Sequence, residues 1–361
     1  MIRTLWLKLV GPIDWPLMGF TALLLGVALG AMASASPERM GAQLQNLAVA
    51  LVVMRVVAQI PPQRLMQLAL PLFVAGILLL VAVALFGDIS KGARRWLNLG
   101  FMRIQPSELM KIAMPMMLAW YFQKHEAQLR LRDYAIAALI LLIPVALIAK
   151  QPDLGTAVLV FSAGFFVIFF AGLPWKVIIG LAAAAGAAAP LAWNMLHDYQ
   201  RQRILTLIDP EKDPLGKGFH IIQSTIAIGS GGIFGKGWGQ GTQAQLEFIP
   251  ERHTDFIFAV YSEEFGLVGN FVLLVLYALL IGRGLLIAAN AATLFTRLLA
   301  GAVTLIFFTY AFVNMGMVSG ILPVVGVPLP FVSYGGTALV TLCLGVGILM
   351  SINKNRMLVQ K

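Results

Sequence analysis

The sequence predicts an all-α, polytopic integral membrane protein of about ten transmembrane helices, with a long extracytoplasmic loop between the seventh and the eighth. Composition comes first: 59% of the 361 residues are hydrophobic and 12% are charged, against roughly 25% charged in an average soluble protein. Second, apolar stretches of about 16 to 26 residues recur from end to end, and about 20 suffice to cross a bilayer. Third, a single long polar segment, about 196–255, breaks this pattern. The chain therefore reads as one transmembrane domain over 1–361.

The first span, 15–33, follows Arg3 and Lys8. Its end, Ala31-Met-Ala-Ser-Ala, has the look of a signal-peptide cleavage site, but the many spans behind it favour an uncleaved helix. Further spans are expected at 43–60, 68–87, 105–122, 134–149, 154–172 and 175–195. After the loop come 256–281, 298–320 and 333–352, the first of these extending to about 290 because Gly284 to Ala292 stays apolar. With both termini cytoplasmic, twelve Lys and Arg face inward and six lie in the short outer loops, the bias the positive-inside rule requires. The long loop adds six more outside, but long segments cross largely regardless of charge. The formal charge of +10 is spread over these loops, so it speaks for topology and anionic lipid, not for nucleic acid. The one cysteine, Cys343, lies in the last apolar stretch and excludes an intramolecular disulfide or a thiolate cluster; it reads as a small core residue. No fixed-period repeat is present, and Gly26/Gly30 and Gly316/Gly320 are only weak helix-packing spacings.

Ionisable groups in or beside spans are costly and point to function. Four of the six outer charges fall in one loop, Lys91 to Arg103 with Arg94, Arg95 and Trp96; they either snorkel or bind an anion. Glu108 and Lys111, three apart, are neighbours on one helix face. They form a salt bridge, or a cavity wall with Asp153, which lies at the same depth and could compete for Lys111. Glu263 and Glu264 read as structural contacts. Asp255 ends the polar loop: either a helix N-terminal acid held by first-turn amides, or a general base. If the helix began there, Ser262, two turns on, would share its face, while Glu264 would turn away. The run Gly229 to Gly241, with Lys236, lacks the spacing of a phosphate loop and reads as a mobile outer loop. His125, His197, His220 and His253 show no paired metal spacing; only His253 stands near Asp255. Sugar transfer from a lipid diphosphate needs one base and cations to neutralise the leaving group, an inventory the outer face offers.

These residues give the chain a strong resemblance to the SEDS family (shape, elongation, division and sporulation proteins), most of all to its RodA branch. The carriers are Gly92-Ala-Arg-Arg-Trp-Leu97, Gln105-Pro-Ser-Glu-Leu-Met-Lys111, Gln151-Pro-Asp-Leu-Gly-Thr-Ala157, Asp209-Pro-Glu-Lys-Asp-Pro214, Glu251-Arg-His-Thr-Asp-Phe-Ile-Phe258, Glu263-Glu-Phe-Gly266 and Gly326-Val-Pro-Leu-Pro-Phe-Val-Ser-Tyr-Gly-Gly336. The resemblance implies a ten-helix peptidoglycan glycosyltransferase polymerising lipid II on the outer face of the bacterial inner membrane during cell elongation. It implies Asp255 as the essential acid. It also implies partners: a class B penicillin-binding protein and the elongation proteins MreC and MreD. No organic cofactor is expected; a divalent cation, Mg or Mn, would assist the diphosphate. Beside Asp255, the expected substrate-side residues are Arg94, Arg95, Trp96, Glu108, Lys111, Asp153, Lys236, His253 and Ser262. Two rival readings are a lipid II flippase and a non-catalytic scaffold for the penicillin-binding protein.

Overall fold

The computed structural model describes residues 13–90, 93–98, 103–195, 198–212, 217–246, 248–249 and 251–359. Arg3, Lys8, Lys91, Gly92 and His197 lie outside them, as does the Asp213-Pro214 end of one motif. Helices dominate: Trp15–Ala35 (α1), Met40–Val57 (α2), Pro62–Phe86 (α3), Pro106–Lys124 (α4), Leu131–Lys150 (α5), Leu154–Phe170 (α6) and Trp175–Met195 (α7). The polar segment holds Asp198–Ile208 (α8), Lys217–Ser230 (α9) and the short Thr242–Gln245 (α10). Ile257–Ala289 (α11), Leu294–Val318 (α12) and Gly336–Val359 (α13) complete the chain.

Among the described residues seven helices are long and apolar enough to cross a membrane: α1, α2 with the turn before it, α3, α5, α11, α12 and α13. Two shorter apolar helices, Leu154–Phe170 and Trp175–Leu191, stand beside them, and α4 carries Glu108, Lys111 and Lys124. This is a multi-pass membrane protein. Helix starts follow local chemistry. Asp14 caps α1, its carboxylate accepting from the Leu17 amide at 2.9 Å, and Pro16 sits in the first turn, where no N–H is needed. Pro62 and Pro106 do the same for α3 and α4. Thr293 opens α12 with a capping box closed by Thr296.

The core centres on α4 and α12, which pack on each other and both on α6. α3 covers α4, α11 covers α12, and α13 runs along α2. From Met110 to Ala119 every residue of α4 is buried, so Lys111 faces protein rather than lipid. Away from the polar loop, Arg283 of α11 pairs with Asp14 at 2.6 Å, and Asn353 of α13 donates to the same carboxylate at 2.7 Å, stapling three helices.

Two features depart from an all-helical expectation of continuous spans. Between α3 and α4 lies a three-stranded antiparallel sheet, Asp88–Ser90 (β1), Ala93–Asn98 (β2) and Arg103–Ile104 (β3), in the order β1-β2-β3. Asp88 lies opposite Trp96 and Asn98 opposite Arg103. Strands this short leave only a few alternating residues, too few to stand out from a loop. Second, α11 is interrupted at Gly266, whose φ of 63° and ψ of −159° are not helical.

Candidate active site

The contacts between helix ends gather the polar motifs at one end of the bundle. Gln105 at the start of α4 donates to Asp153 at the start of α6, 3.1 Å. Ser34 near the end of α1 bonds Glu264 of α11.

Asp255 lies, half-buried, in the turn before α11. It is not the capping residue: the N-cap is Phe256, without a side-chain cap bond. The helix therefore starts two residues later than the shared-face argument for Ser262 requires. What holds Asp255 is its backbone. The Asn314 side-chain amide of α12 donates to the Asp255 carbonyl at 2.8 Å and to Val327 at 2.7 Å. Ser333 Oγ donates to the Thr254 carbonyl at 2.6 Å and accepts from the Leu329 amide, and the Tyr334 amide donates to the His253 carbonyl at 2.8 Å. Three consecutive carbonyls are thus bound by α12 and the 327–334 segment, which fixes the backbone that carries the Asp255 side chain. That segment also passes close over it: a Cβ on Gly326 (φ 75°) would lie 3.3 Å from Asp255 Oδ2. Phe331, buried at φ 64°, pays a left-handed strain of about 1–2 kcal/mol to keep this path. Sequence reading missed Asn314 and held Ser333 and Tyr334 only as part of the 326–336 motif, without a role; the buried Asn in a largely apolar helix was the available signal.

The Arg94–Trp96 loop resolves into β2. Alternation along a strand puts Arg94 and Trp96 on one side and Arg95 on the other. Arg95 donates to the Pro152 carbonyl at 2.6 Å and lies 3.9 Å from Asp153. Asp153 caps α6 through the Thr156 amide, 3.2 Å. The start of α6 touches the same covering segment, since a Cβ on Gly155 would lie 2.8 Å from the Val325 carbonyl and 3.6 Å from that of Gly326. Arg95, Asp153 and Asp255 are therefore linked through one short stretch, 325–326. His253 borders it, edge-on to Tyr334 at 5.7 Å, with Arg39 over the other ring at 5.7 Å. Burial, then Arg39, holds the His253 imidazole below the ordinary histidine value.

Lys111 binds Glu108 at 2.6 Å and the Tyr310 hydroxyl of α12, and Thr341 of α13 donates to the second Glu108 oxygen at 3.2 Å. Lys111 is 2% exposed. The salt bridge is present, but Asp153 does not compete for this lysine; its partners are Arg95 and Gln105. A buried ammonium already paired twice is poorly placed to receive a diphosphate, and it holds α4, α12 and α13 together instead.

The glycine run differs most from expectation. The Lys236 and Gly237 amides donate to the Glu263 and Glu264 carbonyls, each at 3.0 Å, and the Leu267 and Val268 amides to Gly232 and Ile233. The run thus docks into the break in α11. Only glycine permits this: a Cβ on Gly235 would lie 2.1 Å from the Glu264 carbonyl oxygen, and one on Gly266 2.3 Å from the Gly235 nitrogen. Lys236 Nζ binds Glu263 at 2.6 Å, and Glu263, fully buried, also accepts from Thr242 and the Gln243 amide. Lys236 is a structural partner. Ser262, fully buried, donates to the Phe258 carbonyl at 2.7 Å and does not join Asp255. The glycines were read as freedom, but here they serve close backbone approach, which composition cannot distinguish.

A membrane bundle with one backbone-clamped carboxylate at its polar end has the form of an enzyme acting on a lipid-borne substrate. The chain belongs to the FtsW/RodA/SpoVE family, whose model, described as cell cycle protein, matches residues 18–358. It is 54% identical over 347 residues to the peptidoglycan glycosyltransferase MrdB of Escherichia coli K12, covering 96% of this chain and 92% of that one. It is 33% identical to the peptidoglycan glycosyltransferase RodA of Treponema pallidum, covering 79% and 83%. A solved structure of a peptidoglycan synthase complex, concerned with coordinating polymerization and crosslinking, contains a similar chain: TM-score 0.82 at 36% identity, covering 95% and 98%. The crystal structure of the Thermus thermophilus rod shape determining protein RodA is similar at TM-score 0.72 and 32% identity, covering 95% and 97%.

Proposed function

We propose that this RodA-type peptidoglycan glycosyltransferase polymerises lipid II into β-1,4 glycan strands with Asp255 as general base. The observation that carries the role of Asp255 is the clamp on its backbone: Asn314, Ser333 and Tyr334 bind three carbonyls in a row, a rigidity that aiming a catalytic group requires and that capping a helix does not. Asp255 takes the proton of the acceptor GlcNAc 4-hydroxyl as that oxygen attacks C1 of the donor MurNAc. The O4–C1 bond forms, the bond from C1 to the diphosphate oxygen breaks, and the electron pair leaves with undecaprenyl diphosphate. Attack opposite the leaving group inverts the α-linkage to β. Arg94 and Arg95, on opposite sides of β2 with Trp96 beside Arg94, are the candidates for the diphosphate's charge, Arg95 through its link by way of Asp153 to the 325–326 stretch; His253 and Asp153 border the reacting groups.

A divalent cation, Mg or Mn, would assist departure of the diphosphate by neutralising its charge. In this reading ten helices span the bilayer as one domain, both termini are cytoplasmic, and the 196–255 loop and Asp255 face the periplasm. The likeness to a chain of a peptidoglycan synthase complex supports a class B penicillin-binding protein as partner; MreC and MreD follow from the elongation role. Purified protein given labelled lipid II with no other glycosyltransferase tests the reading. Glycan polymer supports it; translocation in vesicles without polymer would mean a flippase, and neither outcome a scaffold.

A further inference from the structure

The segment between α7 and α11 holds a second polar site. Arg203 and Thr206, three apart on α8, share a helix face. With His220 and Ile221 of α9 and Val324, they line, among the described residues, a cavity of about 210 Å³. Two of its lining residues lead to neighbours of Asp255. The His220 ring stacks on Phe256, the residue after Asp255, with centroids 5.7 Å apart and planes 20° apart. Val324 lies two residues before Gly326, which covers the Asp255 carboxylate.

The polar lining is a guanidinium, a hydroxyl and an imidazole; the Glu251 carboxylate lies close enough to act on His220, and Arg203 already has an interaction of its own. His220 Nδ1 is buried without a hydrogen-bond partner, the kind of group an absent ligand explains. The volume falls below the roughly 300–1,000 Å³ of pockets that enclose whole small ligands, so a disaccharide does not fit and an oxyanion with a few attached atoms does. We propose that this cavity is an anion subsite for the lipid-linked substrate, with Arg203 supplying charge and His220 and Thr206 hydrogen bonds. The inference rests on the lipid II polymerase reading. Lipid II carries two such anions, its diphosphate and the carboxylates of its peptide.

The test uses the full chain with Arg203→Gln and with His220→Gln, each first checked for a wild-type Tm. Polymerisation is followed against the concentration of lipid II and of lipid II with amidated peptide carboxylates, and farnesyl diphosphate is titrated as an inhibitor. Loss of one charged hydrogen bond raises KM for lipid II about tenfold, with kcat within about twofold. If the peptide carboxylate is the occupant, that penalty vanishes on the amidated lipid. If the diphosphate is, the penalty persists there and farnesyl diphosphate inhibits about tenfold less well. Unchanged kinetics, or an equal kcat loss on both lipids with unchanged inhibition, overturns the subsite while leaving the polymerase reading intact. Absence of polymer from the wild type overturns both.

Discussion

Replacing Gly266 by alanine strikes the joint between α11 and the glycine run. Its φ of 63° and ψ of −159° belong to a region essentially reserved for glycine, where another residue costs about 1–3 kcal/mol. The added Cβ would sit 2.3 Å from the Gly235 nitrogen, 2.7 Å from the Ile233 oxygen and 2.9 Å from the Gly232 oxygen. All three are backbone atoms, so the run must move and give up the Leu267 and Val268 amide bonds, each worth about 1 kcal/mol. The total is about 3–5 kcal/mol, or a Tm lowered by about 4–7 °C in a chain of this size. Gly239→Ala is the control: its φ is 72°, but nothing lies within 4 Å of the added methyl, so only about 1 kcal/mol of strain is expected. Thermal unfolding of the purified protein in detergent measures both. Equal Tm values for the two variants would refute the docking of the run into the break.

Asn314→Leu keeps the γ-branched shape, though it is bulkier, and leaves the Asp255 and Val327 carbonyls unbonded, about 1–3 kcal/mol each; kcat for polymerisation should fall more than KM changes. Lys236→Met strands the fully buried Glu263 and should cost about 2 kcal/mol, less than the usual 3–5 for a buried pair because the lysine is partly exposed; adding Glu263→Gln should recover part of it, read by Tm. His253 and His220 are both held below the ordinary histidine value, by burial first. Below about pH 6.5 the unfolded chain therefore binds more protons than the folded one, and stability should fall as pH drops from there towards the folded-state values. A Tm-against-pH series should show that slope, shallower in His253→Gln.

The helices were legible because twenty-residue apolar runs and the prolines at their starts are local signals. The polar groups at membrane depth were legible for the same reason: Glu108 with Lys111, Asp153 and Asp255 stand out wherever charge is scarce. Their partners were not. Asp153 goes to Arg95 because β2 turns that side chain inward, and no spacing in a loop of charges reveals a strand register. Ser262 was assigned to the face of Asp255 by extending α11 two residues too far. Lys236 was expected near substrate, yet its partner Glu263 is brought there by a docking of backbone on backbone that depends on the break at Gly266. Asn314 and Ser333, which clamp Asp255, come from segments 59 and 79 residues further along the chain, contacts that only tertiary structure makes.

The central claim is that Asp255 performs base chemistry on a lipid-linked acceptor. Its most direct test is the rate at which purified Asp255→Asn protein polymerises labelled lipid II, measured beside wild type at matched Tm. Loss of the general base is expected to slow polymerisation about 10²- to 10⁴-fold while the clamp on the backbone keeps the fold. A well-folded Asp255→Asn protein that polymerises at the wild-type rate would contradict the account.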